Sequence, residues 1–129
     1  MNTNNENDEE IINKLREKLR RDKETPPLEA TREFLHGYVD DNDWEDIRRE
    51  IEDMMKFNSW TVIKGLNGIE SLLANPPKEK GVLTYLVACD ANWVLDEPND
   101  ENSARWLHQL AEFIRKSMGD KQPPRTTQP

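Results

Sequence analysis

Near the middle of the chain stands the run SWTVIKGLNGIESLLA, residues 59–74. Its apolar side chains recur three or four residues apart, which is the spacing of one face of a helix. They are Ile63, Leu66, Ile69, Leu72 and Leu73. Gly65 and Gly68 lie inside this helix, where each costs about 1 kcal/mol relative to alanine. A close approach of a second helix would account for both glycines, and so would exposed positions free of strain.

The same helical spacing recurs on both sides of this run. It predicts helices over about residues 27–38, 44–55, 78–89 and 101–118, and a weak amphipathic helix over residues 9–23. Residues 82–87 are also rich in strand formers, but no second candidate strand exists to pair with them. The sequence therefore predicts an all-α fold, a compact bundle of about five main helices with an extra N-terminal helix and disordered ends.

Polar residues mark where several of these helices begin and end. Asn42, followed by Glu45, has the layout of a capping box before the helix that starts near Trp44. Ser59 is the expected cap of the central helix. Gly119 stands where a glycine commonly ends a helix.

The 129-residue chain is long enough for one domain, and its apolar residues concentrate in residues 25–118. We expect a polar, partly helical arm over residues 1–24 and a disordered tail over residues 119–129. No apolar run approaches the roughly 18 residues of a membrane span. The first ten residues have no basic or apolar region of the kind found in secretory signals, so we expect a cytoplasmic protein.

Acidic residues are clustered along the chain, which has a net charge of −8. Residues 40–53 carry a net charge of −6 and residues 82–101 a net charge of −5, whereas residues 11–24 are positive by 3. Such a distribution repels phosphate backbones and anionic lipid, and it attracts basic proteins. We therefore expect a basic protein partner, neither nucleic acid nor a membrane as partner, and a monomer in the free state.

The sequence supports catalysis poorly. His36 and His108 are the only histidines, lie on different predicted helices and show no metal-ligand spacing. The single cysteine, Cys89, excludes an internal disulfide and is expected to behave as a small buried hydrophobe. No glycine-rich phosphate loop is present. We therefore expect no catalytic residues, no metal and no cofactor, with an unrecognised enzyme as the least favoured alternative.

Two acidic segments with aromatic neighbours stand out as candidate partner-binding sites. The first, residues 40–46, is here called the acidic turn, and the second, residues 96–100, the acidic loop. Either the aromatic residues are core anchors and the aspartates are caps, or the segments form a recognition surface. The candidate partner-binding residues are Asp40, Asp41, Asp43, Trp44, Asp46, Asp96, Glu97 and Asp100. The candidate structural residues are Tyr38, Trp93, Trp106 and Leu107.

At these segments the chain resembles the small helical immunity proteins of bacterial contact-dependent growth inhibition systems. A Tyr-x-x-x-Asp-Trp-like element reads YVDDNDW over residues 38–44, longer than the common form. A glutamate followed by two leucines falls in residues 69–74, as IESLLA. Cys89-Asp90, the acidic-proline run over residues 96–98 and the Trp-Leu pair in residues 106–110 follow in the family's order.

The resemblance, which covers about residues 30–116, implies a cytosolic protein without catalysis that binds and silences a toxin domain. That domain would be basic and could be a nuclease. The family's motifs are largely scaffolding, so they do not identify the residues that contact the toxin. The alternative is an acidic helical adaptor that regulates another basic protein.

Overall fold

The computed structural model describes residues 10–16 and 25–121. Six helices and no strand lie within these ranges: α1 (residues 10–16), α2 (Pro27–Phe34), α3 (Trp44–Phe57), α4 (Ser59–Ala74), α5 (Val82–Tyr85) and α6 (Asp100–Met118). A π-helical turn extends α2 (Leu35–Val39) and another extends α5 (Leu86–Asp90), and a 3₁₀ turn (Gly119–Lys121) follows α6. The predicted all-α fold is confirmed, and residues 82–87 are helical rather than extended.

Helices α2 and α4 make the most extensive helix–helix contact of the described chain. A Cβ atom at Gly65 would overlap the Phe34 ring, and one at Gly68 would lie 2.7 Å from the Cβ of Ala30. Both glycines are buried. They therefore allow the close approach of α2, and the alternative of exposed, strain-free positions is wrong.

The core lies between helices α2 to α6, which surround it with their apolar faces. Eight large side chains from α3, α4 and α6 are fully buried: Ile47, Ile51, Val62, Leu66, Ile69, Leu107, Leu110 and Ile114. Burying each such side chain stabilises the fold by roughly 1.5–3 kcal/mol. Trp106, beside Leu107, is also buried. Both residues therefore lie in the core, the position expected for candidate structural residues.

A buried ion pair joins α6 to α4. The Arg115 guanidinium donates from Nε to Glu70 at 2.9 Å and from an Nη to the same carboxylate at 2.6 Å. Arg115 is 2% exposed. Two parallel charge-assisted bonds satisfy both groups, which otherwise could not be buried at low cost.

The helix caps lie one residue away from where the sequence predicts them. The capping box of α3 joins Asp43 to Asp46, not Asn42 to Glu45. At α4 the cap is Asn58, whose side chain accepts from the Trp60 backbone N–H, and not Ser59. Neighbouring polar residues satisfy the same local rule, so the sequence pattern alone does not select between them.

The π-helical turns were not predicted. Their backbone bonds span five residues, as from Asp40 N to Leu35 O and from Ala91 N to Leu86 O, both at 2.9 Å. In the second turn, Asp90 is buried and Cys89 is exposed. The prediction that Cys89 is a buried hydrophobe is therefore wrong, because the buried face of this helix consists of Leu83, Leu86, Val87 and Asp90, and Cys89 lies outside it.

The two ends of the described chain differ from the body. The apolar side chains of α1 face solvent, with Ile11 and Leu15 each 56% exposed and Ile12 46% exposed. Gly119 ends α6 as predicted, at a φ of 62°, but residues 119–121 form a 3₁₀ turn rather than the start of a disordered tail. Predictions for residues 1–9, 17–24 and 122–129 lie outside the described residues. None of the described helices has the length and apolar character needed to cross a bilayer.

Candidate functional site

Four aromatic rings bring together the acidic turn, the segment just before the acidic loop, and α6. The Trp44 ring centroid lies 5.1 Å from Trp93, 6.0 Å from Trp106 and 4.9 Å from Phe113. Trp93 and Trp106 are 5.3 Å apart. The rings are tilted relative to one another, a favourable arrangement for aromatic pairs. Trp44, a candidate partner-binding residue, is therefore half-buried in a packing cluster that joins two segments distant in sequence.

Tyr38 links the end of α2 to α4. Its ring stacks on Phe34 with centroids 4.5 Å apart, and its hydroxyl is 2.8 Å from the hydroxyl of Thr61. Partial burial raises the pKa of the Tyr38 hydroxyl, against the opposing effect of the Thr61 hydrogen bond. Tyr38 therefore occupies a structural position, as its aromatic character suggested.

The four aspartates of the acidic turn fall into two pairs. The Asp43 side chain accepts from the Asp46 backbone N–H at 2.8 Å, and the Asp46 side chain accepts from the Asp43 N–H. This pair is committed to starting α3. Asp40 and Asp41 make no side-chain hydrogen bond or ion pair among the described residues, and Asp41 is exposed with a φ of 64°. Asp40 and Asp41 are therefore the members of the turn left available to a partner.

The acidic loop divides in the same way. Asp96 and Glu97 are exposed, and their carboxylates contact no partner in the described part of the chain. Asp100 instead accepts from the Gly81 N–H at 2.8 Å, the Thr84 N–H at 3.1 Å and the Thr84 hydroxyl at 2.7 Å. These three hydrogen bonds lower the pKa of the Asp100 carboxyl, and the bond from the Gly81 N–H has the largest effect. The Asp100 carboxylate thus caps α5 from across the chain.

More unpaired carboxylates follow along α3. Glu45 pairs with Arg48 and Arg49. Glu50 and Asp53, further along the helix, are exposed and have no ion-pair partner in residues 10–16 or 25–121. The negative charge therefore extends from the acidic turn along α3.

A groove lies between α2, α3 and α4. It encloses about 600 Å³, and its surface is largely apolar, with Phe34, Tyr38, Met54 and Phe57 among its walls. Gly37 of the first π-helical turn also lines it. The sequence pattern does not reveal this groove, because its walls come from three helices. The sequence feature that could have indicated the groove is Phe57, an aromatic residue at the polar end of α3.

A polar cluster that the sequence pattern does not reveal involves His36 and Asp90. The buried Asp90 carboxylate contacts His36 Nε2 at 2.8 Å and Arg32 Nε at 3.4 Å through Oδ1. Its other oxygen, Oδ2, is buried without a hydrogen-bond partner in the described structure. The cluster joins the two π-helical turns. His108 is exposed, and no group of three metal-ligating side chains occurs among the described residues.

Comparisons with known proteins give no relative for this chain. No protein-family model matches it, and no curated protein or solved structure matches it significantly.

Proposed function

We propose that this protein is an immunity protein of the contact-dependent growth inhibition type, which acts in the cytoplasm. It binds the toxic C-terminal domain of a growth-inhibition exoprotein and neutralises it by occupying its surface, without chemistry of its own.

The observation that carries this proposal is a set of solvent-accessible carboxylates without ion pairs, of which Asp41, Glu50 and Asp53 are exposed and Asp40 is partly buried. Asp40 and Asp41 in the acidic turn, and Glu50 and Asp53 on α3, hold negative charge that the described chain does not neutralise internally. Exposed like charges do not stabilise a fold, whereas they accelerate association with a basic partner. A toxin whose active site holds nucleic-acid phosphates presents such a basic surface.

The placement of the family-like elements also supports the proposal. The Tyr38–Trp44 segment and the Trp-Leu pair on α6 meet in the aromatic cluster. The Cys89-Asp90 element contacts α2 through His36. Elements that are scaffolding in the family therefore act here as packing contacts, which leaves the charged surface between them free for recognition.

Survival of cells that express the toxin tests the proposal. The toxic domain of the exoprotein encoded beside this gene is co-expressed with the protein, and viable counts are compared with those from an empty vector. We expect full protection from the natural chain and reduced protection from Asp40→Asn/Asp41→Asn. A double variant at exposed acids elsewhere, Glu79→Gln/Asp120→Asn, is the matched control and should protect fully.

Asp96→Asn/Glu97→Gln tests the acidic loop separately from the acidic turn. Loss of protection in only one double variant identifies the segment that faces the toxin. Failure of the natural chain to protect would overturn the proposed function.

A further inference from the structure

The groove between α2, α3 and α4 has the features of a docking surface. Phe57, at one end, is 85% exposed, although aromatic side chains of this size are normally buried. Burying the ring would remove a large apolar surface from water. An exposed apolar surface with a polar rim is typical of a protein interaction site.

Gly37 keeps part of the groove open. A Cβ atom at this position would meet no heavy atom within 4 Å, and the φ of Gly37 is not positive. Neither the packing of the described chain nor its backbone conformation therefore requires glycine here. With no side chain at Gly37, this part of the groove is open to solvent and accessible to a second molecule or segment.

The rim of the groove is negative. Glu33, Glu50 and Asp53 line it, together with Lys64, whose ammonium group is 3.0 Å from the Glu33 carboxylate. Glu50 and Asp53 have no such partner in the described structure. Charge complementarity therefore favours an occupant with apolar side chains flanked by lysine or arginine. A second copy of this chain, with a net charge of −8, is disfavoured by repulsion.

We propose that this groove binds a basic amphipathic segment of the toxin domain. One branched or aromatic side chain of the segment lies against Phe57 and over Gly37, and flanking cations pair with Glu50 and Asp53. This inference rests on the proposed function, since it names the surface through which the toxin is held. The recognition is of the helix-in-groove kind, in which apolar anchors are held by pockets and charges set the orientation.

Peptide binding tests the groove without the toxin. The probe is a 12-residue peptide with a Phe and a Leu on one face and lysines around them. Its controls carry glutamate for lysine, or serine for Phe and Leu. Affinities are measured by calorimetry, and the contacted residues are mapped by amide NMR shifts. We expect binding of the basic apolar peptide only, with shifts confined to the groove.

Three variants of the full chain decide whether the groove is the site. Gly37→Leu fills the open space, and we expect it to weaken peptide binding by about tenfold or more, as loss of a central contact does. Glu50→Gln/Asp53→Asn should weaken peptide binding and reduce the salt dependence of the affinity. Glu79→Gln/Asp120→Asn, at exposed acids outside the groove, should bind as the natural chain does. Melting curves verify folding, and Gly37→Ala provides a smaller substitution at the same position.

Undiminished binding by Gly37→Leu, or shifts outside the groove, would overturn the inference. So would tighter binding by Ile11→Ser/Leu15→Ser, because it would show that the chain's own N-terminal helix competes for the groove.

The survival assay separates this inference from the proposed function. If the natural chain protects and Gly37→Leu still protects fully, the immunity function stands and the groove is not its docking site. If the peptide binds in the groove but the natural chain fails to protect, the groove binds basic segments and the proposed function is wrong.

Discussion

Trp106 packs its indole against two other indoles. It is 5% exposed and contacts Trp93 and Trp44 in the aromatic cluster. Truncation leaves a cavity that the neighbouring rings cannot fill without leaving their tilted arrangement. We therefore expect Trp106→Ala to lower the free energy of unfolding by about 3–5 kcal/mol. Urea denaturation followed by circular dichroism measures this change.

Val94 supplies the control for Trp106, because it lies in the neighbouring loop and is 93% exposed. Val94→Ala should change the stability by less than about 0.5 kcal/mol. A loss below about 1 kcal/mol in Trp106→Ala would show that the indole is not a core contact.

Gly65 and Gly37 are a matched pair of helical glycines with opposite surroundings. A Cβ at Gly65 overlaps the buried Phe34 ring, whereas one at Gly37 meets no atom within 4 Å. We expect Gly65→Ala to destabilise the protein by about 1–3 kcal/mol through overpacking. Gly37→Ala should stabilise it by up to about 1 kcal/mol, because alanine restricts the unfolded chain more. If Gly65→Ala and Gly37→Ala changed the melting temperature equally, the result would contradict the close approach of α2 and α4.

At the scale of residues, the sequence predicts burial better than it predicts hydrogen bonding. The burial of Leu107 and Ile69 follows from helical spacing, because it depends on which face of the helix they occupy. The identity of the capping residues, Asp43 and Asn58, does not follow from the sequence pattern, because polar neighbours at adjacent positions offer the same side-chain acceptors. The contact between His36 and Asp90 joins residues 54 positions apart, and no local pattern encodes it.

At the scale of elements, Asp100 joins the starts of two helices. It is the first residue of α6, and its carboxylate accepts backbone N–H groups at the start of α5. We expect Asp100→Ala to lower the free energy of unfolding by about 1–2 kcal/mol at neutral pH, the range for loss of a helix cap. Asp96→Ala, in the same loop but without hydrogen bonds in the described structure, should have no measurable effect.

The contribution of Asp100 should depend on pH in a defined direction. Hydrogen bonds from Gly81 and Thr84 lower its pKa in the folded protein. The stabilisation is therefore fully present above the unfolded pKa of about 3.9, and it is lost as the pH falls through the folded value below that. The stability difference between the natural chain and Asp100→Ala, measured by urea denaturation, should shrink below about pH 4. A constant difference down to the acid limit of folding would contradict the assigned hydrogen bonds.

The helices themselves were predictable, but their irregular turns were not. Helices α3, α4 and α6 begin and end within two residues of the bounds that apolar spacing predicts. The turns Leu35–Val39 and Leu86–Asp90 each add one residue to a helical turn. Apolar spacing of three or four residues tolerates such an insertion, so the pattern does not show it.

At the scale of the whole molecule, the negative charge is predicted to serve binding rather than stability. Asp40 and Asp41 are adjacent and unpaired, and Asn is also accepted at the positive φ of Asp41. Asp40→Asn/Asp41→Asn should therefore leave the free energy of unfolding unchanged or raise it by a few tenths of a kcal/mol. Calorimetric melting at low salt tests this, with Asp43→Asn/Asp46→Asn as a comparison that weakens the α3 cap. A clear loss of stability in the first variant would make these charges structural.

The charge distribution was predictable because it is a property of the sequence. The groove was not, because its shape requires the relative placement of α2, α3 and α4, and its floor includes Gly37, which no apolar pattern marks. The assignment of Asp100 as a partner contact followed from its position in an acidic run. Only the folded chain brings it to Gly81 and Thr84.

The most direct test of the proposed immunity function is the association rate constant of the purified protein with the toxic domain that the proposal assigns to the neighbouring gene, measured by stopped-flow fluorescence as salt is increased. We expect one-to-one binding whose association rate falls steeply with salt, because the Debye length shortens from about 10 Å at 0.1 M to about 3 Å at 1 M. Neutralising Asp40, Asp41, Glu50 and Asp53 together should lower the rate at low salt and flatten this dependence. Absence of binding would contradict the immunity function, and an unchanged salt dependence in the neutralised variant would contradict the role assigned to its charges.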